Sequence, residues 1–493
     1  MRRNLMKTFD DIYILNLHGN SKKQEKAPDG GKDENVFDIQ QGVAIGIFVK
    51  RPPAVIPAKA GIQTSQTDAE AQANLDSRLR GNDSAEIHYA ELYGRRKEKE
   101  EWLFANSLKT TEWKTLSPSS PHYLFIPQDE TLRAEYEKGL KINEIFPVNS
   151  VGVVTARDGL TIAFTKEELI ERVSDFLKLS PEEAREKYDL GEDVRDWKVE
   201  WAQKDLKGRT NWVNDIVPIL YRPFDVRWTI YTGNSRGFLC YPRAEVMKHM
   251  VGGKNMGLVV VRREERVMDY NQMFVSDTIA EHSVASIKTI SYIVPLYVDG
   301  KPNLTYSKMS IINEKPPIAL FNYLYALLNS NSFRSRYLNY LRIDFPRIPF
   351  TSDSALFNHL ANLGGKLIER HLLRFTLEDT FGLPYPVKGN DVVGKGFPKY
   401  QVSSQMDSHL RGNEENLGRV YINKDQYFEG VAPDVWNFHV GGYQALDKWV
   451  RERQGRKLTD DDRLHFRKIV RALSDTILIM KEIDDTIPGW PLM

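Results

Sequence analysis

The sequence predicts an α/β segment followed by a mixed α+β region with a helical C-terminal part. Three observations lead there. Two short apolar strand patterns near the N-terminus, "FDDIYILNL" (9–17) and "VFDIQQGVAIGIFVK" (36–50), are joined by a long polar loop. Residues 210–310 are rich in strand and loop signals. Beyond 315 the apolar residues recur at helical spacing.

At 493 residues the chain has room for two to four domains, and 41% hydrophobic with 27% charged residues is ordinary for a globular protein. No signal peptide or membrane span is read: "MRRNLMKTFDD" turns acidic before an apolar core develops, and "MGLVVV" is too short to cross a bilayer. The lone cysteine, Cys240, excludes an intrachain disulfide and fits a reducing compartment, so the cytoplasm is the expected location. A net charge of +1 advertises no polyanionic partner, and any nucleic-acid footprint must be local.

Taken in order, the strands at 9–17 and 36–50 read as part of a sheet rather than a whole domain. Residues 51–84 change character, rich in Ala, Gln, Ser and Pro, and their end, "DSRLRGND" (76–83), nearly recurs as "DSHLRGNE" (407–414). Two copies do not make a solenoid. The first resembles the translated product of a small interspersed repeat of bacterial genomes, and both read as surface-loop insertions, where extra length costs little closure entropy. "SVGVVTARDGLTIAF" (150–164) places two β-rich arms around Asp158-Gly159, a hairpin signal. A helix follows through Leu169, Ile170, Val173, Phe176 and Leu177. The next opens on "SPEE", where Ser180 caps, Pro181 takes the first helical position and Glu183 completes a capping box. Later helical stripes run through Phe321–Leu328, Leu356–Ile368 and Phe466–Met480.

Much chemistry is missing. The ten histidines include no pair at metal-ligand spacing and no HExxH, and one cysteine cannot build a zinc knuckle. "GNDVVGKG" (389–396) misses a phosphate loop, because Gly396 stands where Ser or Thr would hold magnesium. No GxSxG elbow exists. Glu182/Glu183 and Asp460/Asp461/Asp462 sit at helix starts, where carboxylates favourably meet the dipole.

The densest signal is "YRPFDVRWTIYTGNSRGFLCYPRAEVMKHM" (221–250), with arginines at 222, 227, 236 and 243 among six aromatics. Guanidinium forks bind guanine edges or phosphates and stack on bases, while aromatics offer faces to unstacked bases. "TGNSRG" (232–237) reads as an exposed turn carrying donors on a flexible backbone. Composition alone favours the other reading, a β-rich core with arginines reaching to water.

A resemblance changes that balance. "YRPFDVRW", "CYPRAEVMKHM", "FNYLYALLNSNSFRSRYLNYLRIDFPRIPF" and "YFEGVAPDVWNFHVGGYQALDKWVRERQGRKL" resemble one family, as do "FDDIYILNLHGN", "DENVFDIQQGVAIGIFVK", "EIHYAELYGRRKEKEEWL" and "VGVVTARDGLTI". That family is the type ISP restriction–modification enzymes and relatives, single-chain adenine-N6 DNA methyltransferases with a C-terminal specificity region. The resemblance implies residual strands of a methyltransferase-like sheet at 1–50, continued after the 51–84 insertion through 85–149. It implies a DNA target-recognition region at 150–400, a second insertion at 401–418, and a helical end of the specificity region at 419–493. The 51–84 insertion is expected to be disordered.

The chain departs from the family in one respect. Members carry an N-terminal half with a Gly-rich cofactor loop and a catalytic Asn-Pro-Pro-Tyr ahead of the strands at 9–50, and neither motif occurs here: the Pro-Pro pairs lie in "RPPA" and "KPPI". Adenine must be flipped from the duplex and its amine held by that motif before methylation. The resemblance therefore implies a truncated, sequence-specificity portion that binds double-stranded DNA. It implies no catalytic, cofactor or metal residues in this chain, with S-adenosylmethionine belonging to the complete enzyme. The expected DNA contacts are Arg222, Arg227, Arg236 and Arg243, Tyr231 as a stacking or wedge residue, Arg157 beside "DG", and Arg347 of "DFPRIPF". Two alternatives stay open: methyl transfer when a separately encoded N-terminal half completes the sheet, or a gene remnant without a role.

Overall fold

The computed structural model describes residues 1–21, 26–51, 85–120, 122–264, 270–305, 315–377, 383–402 and 417–492. It divides into two compact units, Met1–Thr131 and Leu132–Met493. The division precedes residue 150, where the sequence reading opens the recognition region. The insertions expected at 51–84 and 401–418 lie, but for their edges, outside the described residues. Their second flank is informative: Val402 stands opposite Gly418 in an antiparallel pair, so the chain leaves and re-enters on adjacent strands.

In the first unit, β1 (Asp11–His18), β2 (Val43–Val49), β3 (Glu86–Glu91) and β4 (Lys114–Leu116) form one sheet in the order β2-β1-β3-β4. β1 and β3 run parallel, with Asp11 opposite Glu86, and β2 pairs antiparallel to β1. Ile12 and Ile87 form a small core with Met6 and Ala85. β2 is an edge strand whose apolar side chains find little cover: Ile45, Ile47 and Phe48 are 38–39% exposed. Helix α1 (Arg96–Ala105) is pinned to this sheet by a buried cation. Lys99 Nζ lies 2.6 Å from Asp33 and donates to the Leu17 and Glu34 carbonyls at 2.7 Å. Three acceptors offset the cost of taking an ammonium out of water.

Two of the second unit's sheets, with its two hydrophobic cores, position the site. One sheet comprises β5 (Ser150–Val151), β8 (Gly257–Val261), β9 (Phe274–Ser276) and β11 (Ser291–Pro295), in the order β9-β8-β11-β5. The "MGLVVV" run is its central strand, buried at every position of β8. The other is the hairpin β6 (Ile216–Arg222) and β7 (Asp225–Ile230), with β10 (Ile279–Ala280) parallel to β6. Helices α2 (Lys166–Phe176), α3 (Pro181–Lys187) and α4 (Val199–Lys207) pack on the first core. The capping box expected at "SPEE" is present: Ser180 accepts from Glu183 N, and the Glu183 carboxylate accepts from Ser180 N.

The three helical stripes expected beyond 315 form helices, and with a further one, Asn331–Leu341, they build the second core. They are α5 (Pro317–Asn329), α6 (Asn331–Leu341), α7 (Ser354–His371) and α8 (Asp460–Thr486). α5 and α7 approach so closely that a Cβ at Gly364 would collide with the Asn322 carbonyl oxygen, so only glycine fits. α8 joins the two cores, with Phe466, Ile469 and Leu473 in the first and Ile479 and Ile483 in the second. Where these helices meet, buried His371 bonds Tyr325 Oη at 2.5 Å and Thr476 Oγ1 at 3.0 Å. Among the described residues no helix is long and apolar enough to cross a membrane.

The hairpin expected at 150–164 does not form. Asp158–Thr161 is a helical turn whose Asp158 carboxylate accepts from Thr155 Oγ1 and, at 2.8 Å, from Tyr221 Oη. The two arms pair elsewhere: Val151 with Tyr292, Val154 with Tyr241, and Ala163 with Trp228. Asp-Gly favours a tight turn, but these tertiary partners override the local preference.

Candidate nucleic-acid interface

The seven residues expected to contact DNA separate into three groups. Arg222 and Arg227 flank the β6–β7 turn, where Phe224 takes a positive φ of 60°. Arg222 Nη1 lies 2.7 Å from Glu281 and the guanidinium stacks 3.9 Å from the Tyr221 ring. Arg227 bridges Asp225 at 2.7 Å and Glu452 at 2.8 Å, and Arg453 completes the group 3.1 Å from Asp225. Both arginines are buried, at 7% and 6% exposure. Burial alone would raise the Asp225 carboxyl pKa, but Arg453 and Arg227 together outweigh it and hold the pKa below the ordinary carboxylate value. Each of these two guanidinium groups, expected to reach DNA, is held by carboxylates of this chain. Arg227 ties the hairpin to the C-terminal part, Arg222 ties it to Glu281 next to β10, and Tyr221 and Phe224 beside them are core.

Arg347 belongs to a second group. Its guanidinium donates to the Gly139 carbonyl at 2.8 Å and faces Glu144 at 3.8 Å, on a short strand pair joining 347–348 to 140–141. That contact anchors the "DFPRIPF" segment and leaves the side chain partly buried.

Arg157, Arg236 and Arg243 form the third group, with Tyr231 at the start of their loop. Their charges all reach the buried Cys240 thiol and lower its pKa, though burial first and Asp196 second raise it overall. Arg157 donates to the Leu190 and Glu192 carbonyls and lies 5.1 Å from the Trp197 ring centre. Arg243, at φ 55°, stacks 5.0 Å from Tyr241, and its Nε is buried without a hydrogen-bond partner. Tyr231 is half-buried against the first core, its hydroxyl buried without a partner and its pKa raised by that burial. Arg236 is the one of the seven whose side chain is more than half exposed, at 53%, with a single distant carboxylate, Asp196, at 3.8 Å.

The loop that presents Arg236 is not slack, contrary to the reading of "TGNSRG" as flexible. Asp205, on α4, accepts from Thr232 Oγ1 at 2.8 Å, Asn234 Nδ2 at 2.7 Å and Phe238 N at 2.8 Å. Trp197 Nε1 donates to the Phe238 carbonyl at 3.2 Å, and Arg236 N donates to the Cys240 carbonyl at 2.9 Å. Gly233 and Arg236 take positive φ, and a Cβ at Gly237 would collide with the Asp205 carboxylate. Between loop and helix lies a cleft of about 510 Å³, lined by Trp201, Lys204, Asp205, Asn234, Ser235 and Arg236. Lys198 stacks 4.8 Å from the Trp201 ring centre, with Arg236 at 5.9 Å on the same ring. Cations, an indole face and hydroxyl and amide donors thus share one opening, the set that contacts phosphate and base edges. Sequence reasoning missed Trp201, Lys204 and Asp205, because only the fold brings "EWAQKDLK" under the loop.

A family model, the Type ISP C-terminal specificity domain, matches residues 144–482. The fold is shared with three solved structures at low identity. The Type ISP restriction–modification enzyme LlaBIII bound to DNA aligns with TM-score 0.65 and 16% identity over 100% of this chain and 32% of that chain. A DrdV–DNA complex solved by cryo-EM aligns at 0.60 and 20%, over 98% and 48%. A nuclease-deletion mutant of the Type ISP enzyme LlaGI, in complex with a DNA substrate mimic, aligns at 0.59 and 18%, over 99% and 37%. The chain thus spans less than half the length of each of these three. Among curated proteins no match was found. With the family model covering more than half of its length, the chain belongs to the family of the Type ISP C-terminal specificity domain.

Proposed function

We propose that this chain is the DNA sequence-specificity portion of a site-specific adenine-N6 methyltransferase of a type ISP-like restriction–modification system. The family match supports the specificity role, and the solved relatives bound to DNA support duplex DNA as partner. The observation that carries the reading to particular residues is Arg236, half exposed on a loop braced from below, beside Lys204 and Trp201. Phosphate contacts from the lysines orient the duplex, and Arg236 reads a base edge, with Arg157 and Arg243 supplying positive field. Selection from a pool of random duplexes tests this. Enrichment of one common sequence, with affinity falling steeply as salt rises, is the expected result; a pool that stays random sinks the proposal.

Methylation belongs to the complete enzyme in this reading. The glycine after β1 does not fit a cofactor cradle: Gly19 N donates to Asp33 at 2.6 Å, and a Cβ there would meet Asn35 backbone. On this reading S-adenosylmethionine is assigned to the complete enzyme and to no residue of this chain. A second reading, methyl transfer on complementation by a separately encoded half, is favoured by the exposed apolar edge strand β2, which another segment would cover. Co-expression with such a half, followed by a methyl-transfer assay, separates the two.

A further inference from the structure

We infer that Asp205 is a positioning residue that sets sequence discrimination: it fixes the 232–238 loop in its reading shape before DNA arrives. The inference rests on the DNA-specificity function proposed above. Asp205 itself is unsuited to read DNA. Its two oxygens already accept from Thr232, Asn234 and the Phe238 amide. A carboxylate beside phosphates also repels them. Its value lies in what it holds. A carboxylate accepting three donors makes charge-assisted bonds, roughly twice as strong as neutral ones. Those bonds reach one residue on either side of Gly233, and the residue just beyond Gly237, so both ends of the segment carrying Ser235 and Arg236 are clamped. Gly237 lies against the same carboxylate, which a Cβ there would push out of place.

Two of the three donor residues, Thr232 and Asn234, do little for the hydrophobic core. Thr232 is half-buried, Asn234, Ser235 and Arg236 are exposed, and of the three donor residues only Phe238 is fully inside. A loop that merely connected β7 to the 240s would need no such brace. A loop that must present one guanidinium at a fixed angle does, because each side chain or backbone left to order on binding subtracts from both affinity and discrimination. Opposing charge is arranged to match: Lys204 and Arg236 line the same cleft and offset the Asp205 charge toward an approaching backbone.

The test repeats the random-duplex selection with the full chain as wild type, Asp205→Ala, Asp205→Asn and Thr232→Val. Each enriched site is then measured against single-base changes. In the wild type a wrong base pair at the position read by this loop is expected to cost roughly 5- to 150-fold in affinity. In Asp205→Ala that ratio falls toward one at this position only, while the other positions keep theirs and random-duplex affinity stays within about twofold. Asp205→Asn and Thr232→Val, which each remove part of the brace and keep the fold, fall between. A uniform loss at every position, tracking lost folded protein, overturns the positioning role, as does an unchanged profile in all three variants. A wild type that enriches nothing refutes the proposed function instead, so the two failures are distinct.

Discussion

Arg227 Nη2 stands 2.7 Å from Asp225 and 2.8 Å from Glu452, joining the β6–β7 hairpin to the C-terminal part across more than two hundred residues of sequence. All three side chains are largely out of water, and Arg453 adds a second cation to Asp225. Without Arg227, Asp225 keeps Arg453 alone and Glu452 keeps Lys448 alone, so two carboxylates held largely out of water each lose a cation. Arg227→Ala is expected to destabilise the second unit by about 3–5 kcal/mol. Urea unfolding followed by tryptophan fluorescence measures this. Unchanged stability with weaker DNA binding would instead return Arg227 to the contact surface.

His371 gives a pH dependence of known sign. Burial pushes its pKa down to about 3 from the ordinary 6.5, and its ring bonds Tyr325 and Thr476. The unfolded chain binds the proton first as pH falls. The stability linked to the neutral ring is therefore complete above about pH 6.5 and is lost toward pH 3, by about 1.4 kcal/mol per pH unit. His465, also depressed by burial, acts in the same direction, while His282, whose pKa is raised beside Glu281, opposes it. His371→Gln is expected to remove part of the slope between pH 6.5 and 5. Urea midpoints at several pH values show it, and an unchanged slope refutes the assignment.

What could be read before the fold was seen follows a physical line. Helix starts are local, so Ser180–Glu183 and the acidic first turn of α8 were legible residue by residue. Apolar stripes report burial, so α5, α7 and α8 were too. The Asp158-Gly159 turn was misread because its arms find distant partners, Tyr292 and Trp228, that no local pattern shows. The arginines were legible as a group but not by role. "YRPFDVRW" looks cationic until Glu281 and Glu452 are placed beside it, and both lie far along the chain. Asp205 was invisible for the same reason: its partners begin 27 residues later.

In the first unit, Lys99 and Asp33 are both fully buried and bind each other at 2.6 Å. Asp33 also accepts from Gly19 N and Gly94 N, so the pair closes the loop after β1 against α1. Lys99→Ala leaves Asp33 buried beside two amides alone and is expected to cost about 3–5 kcal/mol. Hydrogen exchange read by peptide locates the effect: amides of 11–19 and 86–105 lose protection, while those of α5 and α7 keep theirs. Loss of protection throughout the chain would mean that the two units fold as one.

Arg236 carries the reading of function. Arg236→Ala is expected to weaken binding to the enriched duplex by about 1–3 kcal/mol and to relax preference at one position. Lys204→Ala, removing a charge without a fork, is expected to weaken all duplexes alike and to lower the dependence on salt by about one ion. The contrast matters more than either number. A guanidinium can take two acceptors on one base, whereas an ammonium meets phosphate as a point charge. Fluorescence anisotropy across a salt series gives both quantities. If Arg236→Ala shifts the salt slope and leaves preference untouched, Arg236 contacts the backbone, and base reading must lie with another residue of the braced loop.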